Sequence, residues 1–540
     1  MSATTVPRPA GAPAGGWSPA TAPAAPWTLL LPFALGAGLL ASTAFPPLGW
    51  WPLLFVAVAV FARVIALCGG AAAAVTLGLG YGLAFNLTTL SWQAMVQWSS
   101  YLGLALLEAA YFALLGGLLF AVRRLRWAPV AAAALWVAVE AVAARFPFGG
   151  FGWTKLGYAM VDTPLAGLYP FLGSPAVTFA VALAGHAAAW SLTGRRPARL
   201  LVAAVATATA FAAGAAGTLL PGAAASGTLN VGWVQGGASG EGFYGIGGPG
   251  DTGRNHAAQT ARLMSRVEAG EFPPPDFIVW PENGMDADPL LDPTANAVLA
   301  NAVAEAGVPI LVGTPTSGPA AGQRQTTAFW WTNAGVEARY DKRNLVPFGE
   351  WIPLRDVLLP LLPILSVVGD QAIPGTEPGV LRVAGPDGRP LAVGVALCYE
   401  VAFPETIHEA VAAGAEVMVV GSNNAMFQGS PQIEQQFAIT RVRAAEMRRQ
   451  ILVVTTSGVT GLIDEHGRVT MRAPERVGAS GVVTLNRATE LTPLLRWGWV
   501  AEYAIALGGL VALGAVAVGA RRRRGGQWTD PRTAGERDDG

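Results

Sequence analysis

The first part of this 540-residue chain is almost free of charged side chains. Between Trp27 and Val122, the only charged residues are Arg63 and Glu108. Over the whole chain, apolar residues make up 52% and charged residues 13%, which is far from the composition of a water-soluble enzyme. Because so long an apolar stretch is stable only away from water, the sequence predicts a polytopic α-helical membrane domain.

The apolar segments have the length that a membrane-spanning helix requires, since a bilayer core takes about 20 residues of helix. We predict eight spans, at 27–44, 51–67, 71–90, 102–122, 129–145, 165–191, 199–220 and 498–520. Residues 1–26 are rich in Ala, Pro and Gly and have no packed-core pattern. We therefore expect a disordered, cytoplasmic amino terminus.

Basic residues predict the orientation of these spans. They cluster after the fourth span, between the sixth and seventh, and after the eighth: Arg123, Arg124 and Arg126; Arg195, Arg196 and Arg199; Arg521 to Arg524. Cytoplasmic loops carry an excess of Lys and Arg, and an even number of spans puts both termini on one side. One topology satisfies all three clusters. It has a seven-helix membrane domain at 27–220, an extracytoplasmic segment at 221–497, a last span at 498–520 and a basic, then polar, cytoplasmic tail at 521–540.

The extracytoplasmic segment has the rhythm of an α/β domain. Charged residues, Pro and Gly return at ordinary density after Gly227, and short apolar runs alternate with helical patterns. This alternation predicts mixed strands with helices on both faces, which several α/β folds share. Without a Gly-rich phosphate loop or zinc-type Cys/His spacing in the sequence, we expect no cofactor and no metal. The formal net charge of zero argues against nucleic-acid binding.

Cys398 is one of only two cysteines, and it stands where a nucleophile could be held. It ends the apolar run that begins at Leu391, and it precedes Glu400 and a turn at Phe403-Pro404. The amino terminus of a following helix would favour thiolate over thiol. The alternative for a free cysteine is a small buried hydrophobic residue.

Two further residues each follow a strand-like run. Glu282 ends Phe277-Ile-Val-Trp-Pro-Glu282, and Lys342 follows Val336-Glu-Ala-Arg-Tyr340. Because open α/β folds build their sites at the carboxyl ends of strands, the carboxylate and the amine could converge on the thiol of Cys398. Each alone also fits a structural role, Glu282 as a helix-capping acid and Lys342 as an exposed strand lysine.

A Glu, a Lys and a Cys in this chain order, each closing a separate strand, resemble the triad of the carbon–nitrogen hydrolase (nitrilase) superfamily. The chemistry of the three groups fits this resemblance. Glu282 would take the thiol proton, Cys398 would attack an acyl carbonyl, and Lys342 would stabilise the tetrahedral oxyanion. The resemblance implies that the segment 221–497 forms an αββα sandwich.

The chain as a whole resembles the apolipoprotein N-acyltransferase family, in which seven helices precede such a domain and one follows it. The matching motifs are spread over both parts of the chain: Ala44-Phe-Pro-Pro47, Pro129 to Glu140 with Trp136, Phe146-Pro-Phe148, Val234-Gln-Gly236, Trp280-Pro-Glu282, Leu345-Val-Pro-Phe-Gly-Glu350, Cys398-Tyr-Glu400, Ser422-Asn423, Arg441-Val-Arg443, Ser457-Gly-Val-Thr460 and Leu491-Thr-Pro493. The motifs 345–350 and 398–400 are the specific ones.

This resemblance implies a two-step transfer without a cofactor. The nucleophile takes an acyl chain from a membrane phospholipid as a thioester and passes it to the α-amine of a diacylglyceryl-cysteine lipoprotein. It further implies a bacterial cytoplasmic membrane, an extracytoplasmic catalytic domain, and contact with other lipoprotein-processing proteins. It implies that Glu282 is the general base, Lys342 the oxyanion residue and Cys398 the nucleophile. It also implies that Glu350 is a supporting carboxylate and that Tyr399 and Glu400 flank the nucleophile.

The chain departs from the family pattern in three places. Gln325-Thr-Thr327 stands where Tyr-Asn-Ser is usual. Ser422-Asn-Asn-Ala-Met-Phe-Gln428 replaces the favoured Ser-Asn-Asp-Ala-Trp-Phe-Gly, and Gln435-Gln436 replaces a common Gln-His pair. We expect these loops to shape the lipid pocket, so the departures bear on acyl choice and efficiency, while the triad is intact.

Two other functions fit part of the sequence. A membrane-tethered amidase or nitrilase would use the same triad on a soluble amide. It would give no reason for the apolar loop 357–368, which is too short to span and which we interpret as an interfacial lid or, alternatively, a buried core loop. A transporter or scaffold would place paired charges inside its spans, where only Arg63, Glu108 and Glu140 lie. We interpret Glu140 as a structural or lipid-headgroup contact.

Overall fold

The computed structural model describes residues 24–192, 197–237 and 247–525. Most of the predicted disordered amino terminus, the basic residues Arg195 and Arg196, and the tail beyond residue 525 lie outside these ranges. Within them the chain forms a helical membrane domain, then two β-sheets with helices on their outer faces, and then a carboxyl-terminal helix.

A helix forms at each predicted span. The seven that precede the sheets are α1 Trp27–Ser42, α2 Pro52–Leu67, α3 Ala71–Thr89, α4 Trp98–Val122, α5 Ala128–Ala143, α6 Tyr169–Ser191 and α7 Pro197–Thr218. α4 begins four residues before the predicted span. α6 is interrupted at Gly173, whose φ of 71° is not helical, and Pro175 follows the break.

Five helical stretches in the described part of the chain are long and apolar enough to cross a membrane: Ala71–Thr89, Trp98–Val122, Pro164–Ser191, Ala198–Thr218 and Val500–Arg521. α1, α2 and α5 are apolar but have only 16 residues each. Sixteen residues span about 24 Å, less than a core of about 30 Å. Several helices that could span a membrane are therefore present, and the count of eight spans stays a prediction.

Glycines allow two of these helices to pack with their backbones in contact. A Cβ added to Gly78 of α3 would lie 2.2 Å from the carbonyl oxygen of Phe112, and one added to Gly116 of α4 would lie 2.3 Å from that of Ala74. Because only a residue without a side chain fits at such distances, Gly78 and Gly116 set the spacing between α3 and α4.

The described strands of the segment 221–497 form two sheets. Their bounds are β1 Ala225–Gln235, β2 Phe277–Val279, β3 Ile310–Ser317, β4 Gln323–Thr332, β5 Gly335–Asp341, β6 Gln371–Ala372, β7 Val380–Ala384, β8 Pro390–Leu397, β9 Val417–Ser422, β10 Ile451–Thr455, β11 Gly461–Ile463, β12 Val469–Arg472 and β13 Ala479–Ala488. The first sheet has the order β13-β1-β2-β3-β4-β5, with β6 beside β4, and the second has the order β12-β11-β10-β9-β8-β7. Both are mixed: β1-β2-β3 and β8-β9-β10 pair in parallel.

Six helices accompany and follow these strands: α8 Asp251–Glu268, α9 Pro293–Ala306, α10 Arg355–Leu361, α11 Pro404–Ala412, α12 Pro431–Met447 and α13 Pro493–Gly525. The last contains the eighth predicted span but begins five residues earlier and continues into the predicted tail. α13 therefore runs without a break from the edge of the sheets to the last described residue.

The two sheets pack face to face, and helices cover their outer faces. In β2, Phe277 and Val279 share a core with the second sheet, while Ile278 packs with residues of α8 and α9, as the two-residue period of a strand requires. In the second sheet, Met418 of β9 packs in one core with Val442 of α12. These four layers confirm the predicted αββα sandwich.

One amide side chain fastens the sandwich to the membrane domain. The Oε1 atom of Gln435 on α12 accepts hydrogen bonds from the indole nitrogens of Trp92 and Trp153 at 3.0 and 2.9 Å. Its Nε2 donates to the carbonyl oxygens of Thr89 and Pro46 at 3.0 and 3.3 Å. All four hydrogen-bonding positions of the amide are thus satisfied, which fixes α12 against three membrane-domain segments.

Candidate active site

The thiol of Cys398 stands on a tight turn between a strand and a helix. β8 ends at Leu397, a 3-10 helix runs from Cys398 to Ala402, and Pro404 begins α11. The φ of Cys398 is 49°, a left-handed conformation that costs about 1–3 kcal/mol for a residue with a Cβ. The turn must therefore be held by its neighbours, and it leaves the side chain partly exposed.

Three of the predicted side chains form a buried ionic cluster beside this turn. The Nζ of Lys342 lies 2.8 Å from Oε1 of Glu282 and 3.0 Å from Oε1 of Glu350, and only 2% of the lysine side chain is exposed. The second oxygen of Glu282 accepts a hydrogen bond from the backbone N–H of Asn423 at 3.1 Å. The carboxylate of Glu282 and the ammonium of Lys342 both act on the thiol of Cys398, so the structure brings these three side chains together.

The charges of this cluster decide which groups carry protons. Burial raises the pKa of the Cys398 thiol, the carboxylate of Glu282 raises it further, and the ammonium of Lys342 only partly offsets these effects. Burial and the carboxylate of Glu282 thus favour the protonated thiol in the free protein, whatever a helix amino terminus contributes. Burial opposes the charge of Lys342, but Glu282 and Glu350 more than compensate and hold its pKa well above the usual value.

Glu350 supports Lys342 from the opposite side. Its Oε2 accepts a hydrogen bond from the N–H of Val346 at 2.7 Å, which ties the loop 345–350 to its own carboxylate. The hydroxyl of Thr326 donates to its Oε1 at 3.4 Å, and the carbonyl of Thr326 accepts from the N–H of Lys342 at 2.8 Å. The first departure from the family pattern thus supplies a hydroxyl to the cluster, while the side chain of Gln325 accepts from Arg339 instead.

Glu400 joins the two halves of the site from behind. Its Oε1 accepts hydrogen bonds from the hydroxyl of Tyr340 at 2.7 Å and from the N–H groups of Arg343 and Asn344 at 2.7 and 3.3 Å. Its Oε2 accepts from the N–H of Leu397 at 2.7 Å. Because Leu397 precedes Cys398 and Arg343 follows Lys342, this buried carboxylate links the segment that carries the thiol to the segment that carries the ammonium.

Tyr399 points away from the site and into the membrane domain. Its ring stacks with those of Phe151 and Trp153, at centroid distances of 6.2 and 6.1 Å. Its hydroxyl donates to the carbonyl oxygen of Gly150 at 3.2 Å. Tyr399 and Glu400 therefore hold the turn of Cys398 from two sides, and we class both as positioning residues.

Sequence reasoning missed a second buried ion pair behind the turn. Arg443 donates through Nε to the carbonyl of Val401 at 3.0 Å and through Nη2 to the hydroxyl of Tyr158 at 2.6 Å, and it pairs with Glu446. Glu446 also accepts from the N–H of Ser174 at 2.9 Å, next to the break in α6. The motif 441–443 marked this arginine as part of the family pattern, but its partners come from distant segments.

The loop 357–368 forms an exposed apolar hairpin. α10 is followed by a 3-10 helix at Pro363–Val368, and the exposed fractions of Leu361 and Val367 are 70% and 59%. The interpretation as a buried core loop is therefore wrong. The chain returns from the hairpin through β6, where the N–H of Ala372 donates to the carbonyl of Glu350 at 3.0 Å. The hairpin is thus attached directly to the catalytic cluster.

A group of His, Cys, Asp or Glu side chains suited to a metal ion does not occur among the residues that the structure describes. The groups that the three strand ends bring together are carboxylates, an ammonium and a thiol. Such a set can take a proton, attack an acyl carbonyl and stabilise an oxyanion.

Both parts of the chain match families of known proteins. Residues 37–187 match the family model of the apolipoprotein N-acyltransferase N-terminal domain, and residues 258–490 match that of carbon-nitrogen hydrolases. The apolipoprotein N-acyltransferase of Mycolicibacterium smegmatis is 33% identical over 514 residues, which cover 89% of this chain and 84% of that protein. The enzyme of the same name from Azotobacter vinelandii is 31% identical over 515 residues, covering 88% and 92%.

Among solved structures, an amidase from Nesterenkonia sp. matches 52% of this chain and 98% of its own, at 18% identity and a TM-score of 0.35, too low to support an argument. The relatives cover nearly the whole chain, from the membrane domain through the carbon-nitrogen hydrolase domain. The chain therefore belongs to the apolipoprotein N-acyltransferase family.

Proposed function

We propose that this protein transfers an acyl chain from a membrane phospholipid to the α-amine of a diacylglyceryl-cysteine lipoprotein, through a thioester on Cys398. The observation that carries the proposal is the buried cluster of Lys342 between Glu282 and Glu350, set beside a strained cysteine turn. Because the whole chain belongs to the apolipoprotein N-acyltransferase family, we infer that the substrates of this cluster are lipids.

In the first step, Glu282 takes the proton of the Cys398 thiol as Sγ attacks the ester carbonyl of the phospholipid. The raised pKa of the thiol makes this base necessary, since little thiolate forms by itself at neutral pH. The ammonium of Lys342 stabilises the oxyanion of the tetrahedral intermediate. Collapse breaks the ester C–O bond, and the lysophospholipid leaves with the proton held by Glu282.

In the second step, the α-amine of the lipoprotein attacks the thioester carbonyl carbon. The C–N bond forms, the C–S bond breaks, and Glu282 takes a proton from the amine and returns it to Sγ. Lys342 stabilises the second oxyanion in the same position. Both substrates are lipids, so water has to be kept from the thioester between the two steps.

The exposed hairpin supports an approach of the substrates from the bilayer. Its apolar side chains are exposed, and Phe348 in the neighbouring loop is 39% exposed and contacts Phe148 of the membrane domain edge-on at 6.1 Å. An interfacial lid of this kind suits a lipid donor. A membrane-tethered amidase acting on a small soluble amide would have no use for it.

We further propose eight spanning helices in a bacterial cytoplasmic membrane, with both termini inside and the sandwich outside. The short helix α1 exposes Leu29 and Phe33 by more than half, which suits contact with lipid. A membrane-impermeant thiol reagent should then label Cys398 in intact spheroplasts and spare Cys68. Labelling of Cys398 confined to lysed cells would put the sandwich in the cytoplasm and overturn this topology.

Mass spectrometry of one lipoprotein from cells with and without the protein tests the proposed activity. The lipoprotein should carry one additional N-linked acyl chain only when the protein is present, and a strain that carries Cys398→Ala should resemble the deletion. An N-acyl chain of undiminished abundance in the deletion strain would contradict the proposal. Neither an amidase nor a scaffold would change the mass of the lipoprotein.

A further inference from the structure

A small cavity in the membrane domain is lined by two carboxylates, of which the protein satisfies only one. The cavity lies between α4, α5 and the segment 151–155, is partly open and has a volume of about 30 Å³. Glu140 accepts hydrogen bonds from the N–H of Leu156 at 2.9 Å and from the hydroxyl of Thr178 at 2.8 Å. Glu108 is 4% exposed, and its Oε1 is buried without a hydrogen-bond partner in the part of the chain that the structure describes. The two-step chemistry proposed above gives Glu108 no role.

Lys155 also lines the cavity, but it is not the partner of Glu108. Its Nζ lies 5.9 Å from the centre of the Tyr158 ring. Burial opposes its charge, but Tyr158 and the carboxylates of Glu502 and Glu405 more than compensate and raise its pKa. Among the described residues, no ion pair joins Lys155 to Glu108. The protein therefore leaves the carboxylate of Glu108 without a cation.

The size and the walls of the cavity restrict what can fill it. A volume of about 30 Å³ takes a group of the size of a water molecule or an ammonium and excludes an acyl chain. A water molecule would leave the buried carboxylate without a counter-charge, which is strongly unfavourable. A primary ammonium supplies both the charge and the N–H donors. The walls suit a cation, because they include four aromatic rings, those of Tyr111, Phe112, Trp136 and Phe151.

The cavity adjoins the aromatic residues that hold the turn of Cys398. Phe151 lines the cavity, and its ring stacks with that of Tyr399 at a centroid distance of 6.2 Å. Burial raises the pKa of the Tyr399 hydroxyl, and the carboxylate of Glu108 raises it further, so Glu108 is close to the residue that follows the nucleophile. The unpaired carboxylate therefore lies beside the site at which both lipid substrates react.

We propose that the carboxylate of Glu108 binds a primary ammonium group of a lipid substrate and so contributes to substrate choice. The inference rests on the proposed function, which supplies two such groups. One is the ethanolamine headgroup of a phospholipid donor, and the other is the α-ammonium of the diacylglyceryl-cysteine acceptor. Both are primary alkylammonium ions carried by a lipid, and the two arms of the experiment identify which of them binds.

The donor arm measures the loading of Cys398 in the purified full-length protein. Three phospholipids with the same labelled acyl chains are compared: one with an ethanolamine headgroup, one with choline, which keeps the charge but has no N–H, and one with glycerol, which has no charge. If the headgroup binds Glu108, the wild-type protein should load about tenfold faster from the ethanolamine lipid than from the other two, as expected for one charge-assisted hydrogen bond. Glu108→Gln should abolish this preference.

The acceptor arm measures the discharge of the loaded thioester. A diacylglyceryl-cysteine peptide and 2-mercaptoethanol, which has no ammonium, are used in parallel. If the α-ammonium binds Glu108, the ratio of peptide to thiol discharge should fall about tenfold in Glu108→Gln. Glu108→Leu removes the polar group altogether and is read in the same way where the glutamine variant does not fold.

Asn86→Leu is the matched control for both arms. Asn86 lies on α3 of the same membrane domain, and its Oδ1 is likewise buried without a hydrogen-bond partner among the described residues. It is not one of the residues that line the cavity, so Asn86→Leu should change neither the headgroup preference nor the ratio of peptide to thiol discharge.

Wild-type behaviour of the Glu108 variants in both arms would overturn the inference. Equal losses with all three donors and with both acceptors would overturn it as well, because they would show a purely structural role. Failure of the wild-type protein to load Cys398 from any of the three phospholipids would instead overturn the proposed function, so the two failures are distinguishable.

Discussion

The hydroxyl of Tyr340 donates to the carboxylate of Glu400 at 2.7 Å, and this bond joins the strand that precedes Lys342 to the turn that carries Cys398. The same carboxylate accepts from backbone N–H groups on both sides of the junction. The distance between ammonium and thiol is therefore set by a residue that contacts neither. Positions behind the site should be as sensitive to mutation as positions within it.

Glu400→Gln should slow thioester formation about 10-fold to 100-fold while the protein still folds. A glutamine can keep the bonds to Tyr340 and Arg343, but its NH₂ group would face the N–H of Leu397, which leaves a buried donor unpaired. Tyr340→Phe is the milder control, since it removes one bond and leaves the backbone donors satisfied. Rates of Cys398 acylation measure the effect, and equal rates for Glu400→Gln and wild type would contradict the positioning role.

Glu282→Gln should acylate Cys398 about 10²–10⁴-fold more slowly at neutral pH, because the general base is lost. The substitution also removes a negative charge that raises the pKa of the thiol, while Lys342 still lowers it. The thiol of the variant therefore ionises more readily, and acylation should recover as the pH rises and the thiolate fraction grows. A pH profile of thioester formation measures this recovery, and a flat profile would contradict the assignment of the base.

Lys342→Ala should lose about 10²–10³-fold in rate through the missing oxyanion partner, and raising the pH should not restore it. The substitution leaves Glu282 and Glu350 facing each other without a cation, so the free energy of unfolding should fall by about 3–5 kcal/mol. The pH profile is compared with that of Glu282→Gln, and the same recovery in both variants would show that the roles are wrongly divided.

Acidic substitutions in the hairpin should weaken the use of membrane lipid without affecting the chemistry. Leu361→Asp with Ile364→Asp places two charges on a surface that we expect to enter the bilayer interface, where charge is costly. Acylation of Cys398 from phospholipid vesicles should fall at least tenfold, while acylation from a short, water-soluble thioester should be unchanged. Leu290→Asp with Leu291→Asp, on another exposed loop, is the matched control and should affect neither donor.

Structural elements that depend on residues close together in the chain were predictable from the sequence. The apolar segments identify the membrane helices, and the strands before Glu282, Lys342 and Cys398 identify the strand ends at which their side chains meet. The lengths of the helices were less predictable, because α4 and α13 continue beyond the apolar run where neighbouring elements support them. The break in α6 depends on Gly173, which the apolar pattern conceals.

Features that depend on partners far apart in the chain were not predictable. Gln435 bonds residues more than 280 positions away, and nothing in its surroundings marks it as a fastening point. Burial and the carboxylate of Glu282, which follows another strand, raise the pKa of the Cys398 thiol, and the sequence around Cys398 shows neither effect. Tyr399 and Glu400 are adjacent to the nucleophile in sequence, yet they point away from it to the membrane domain and to Tyr340.

The most direct test of the account is whether an acyl chain passes through Cys398. The purified full-length protein is incubated with a phospholipid that carries a labelled acyl chain, and its intact mass and peptide masses are recorded before and after a diacylglyceryl-cysteine peptide is added. We predict one labelled chain as a thioester on Cys398, discharged by the free peptide and retained with an N-acetylated one. Cys398→Ala and Cys398→Ser should insert and fold, yet neither should form a stable acyl-enzyme. Undiminished N-acylation by Cys398→Ala, or a labelled chain on another residue, would contradict the mechanism.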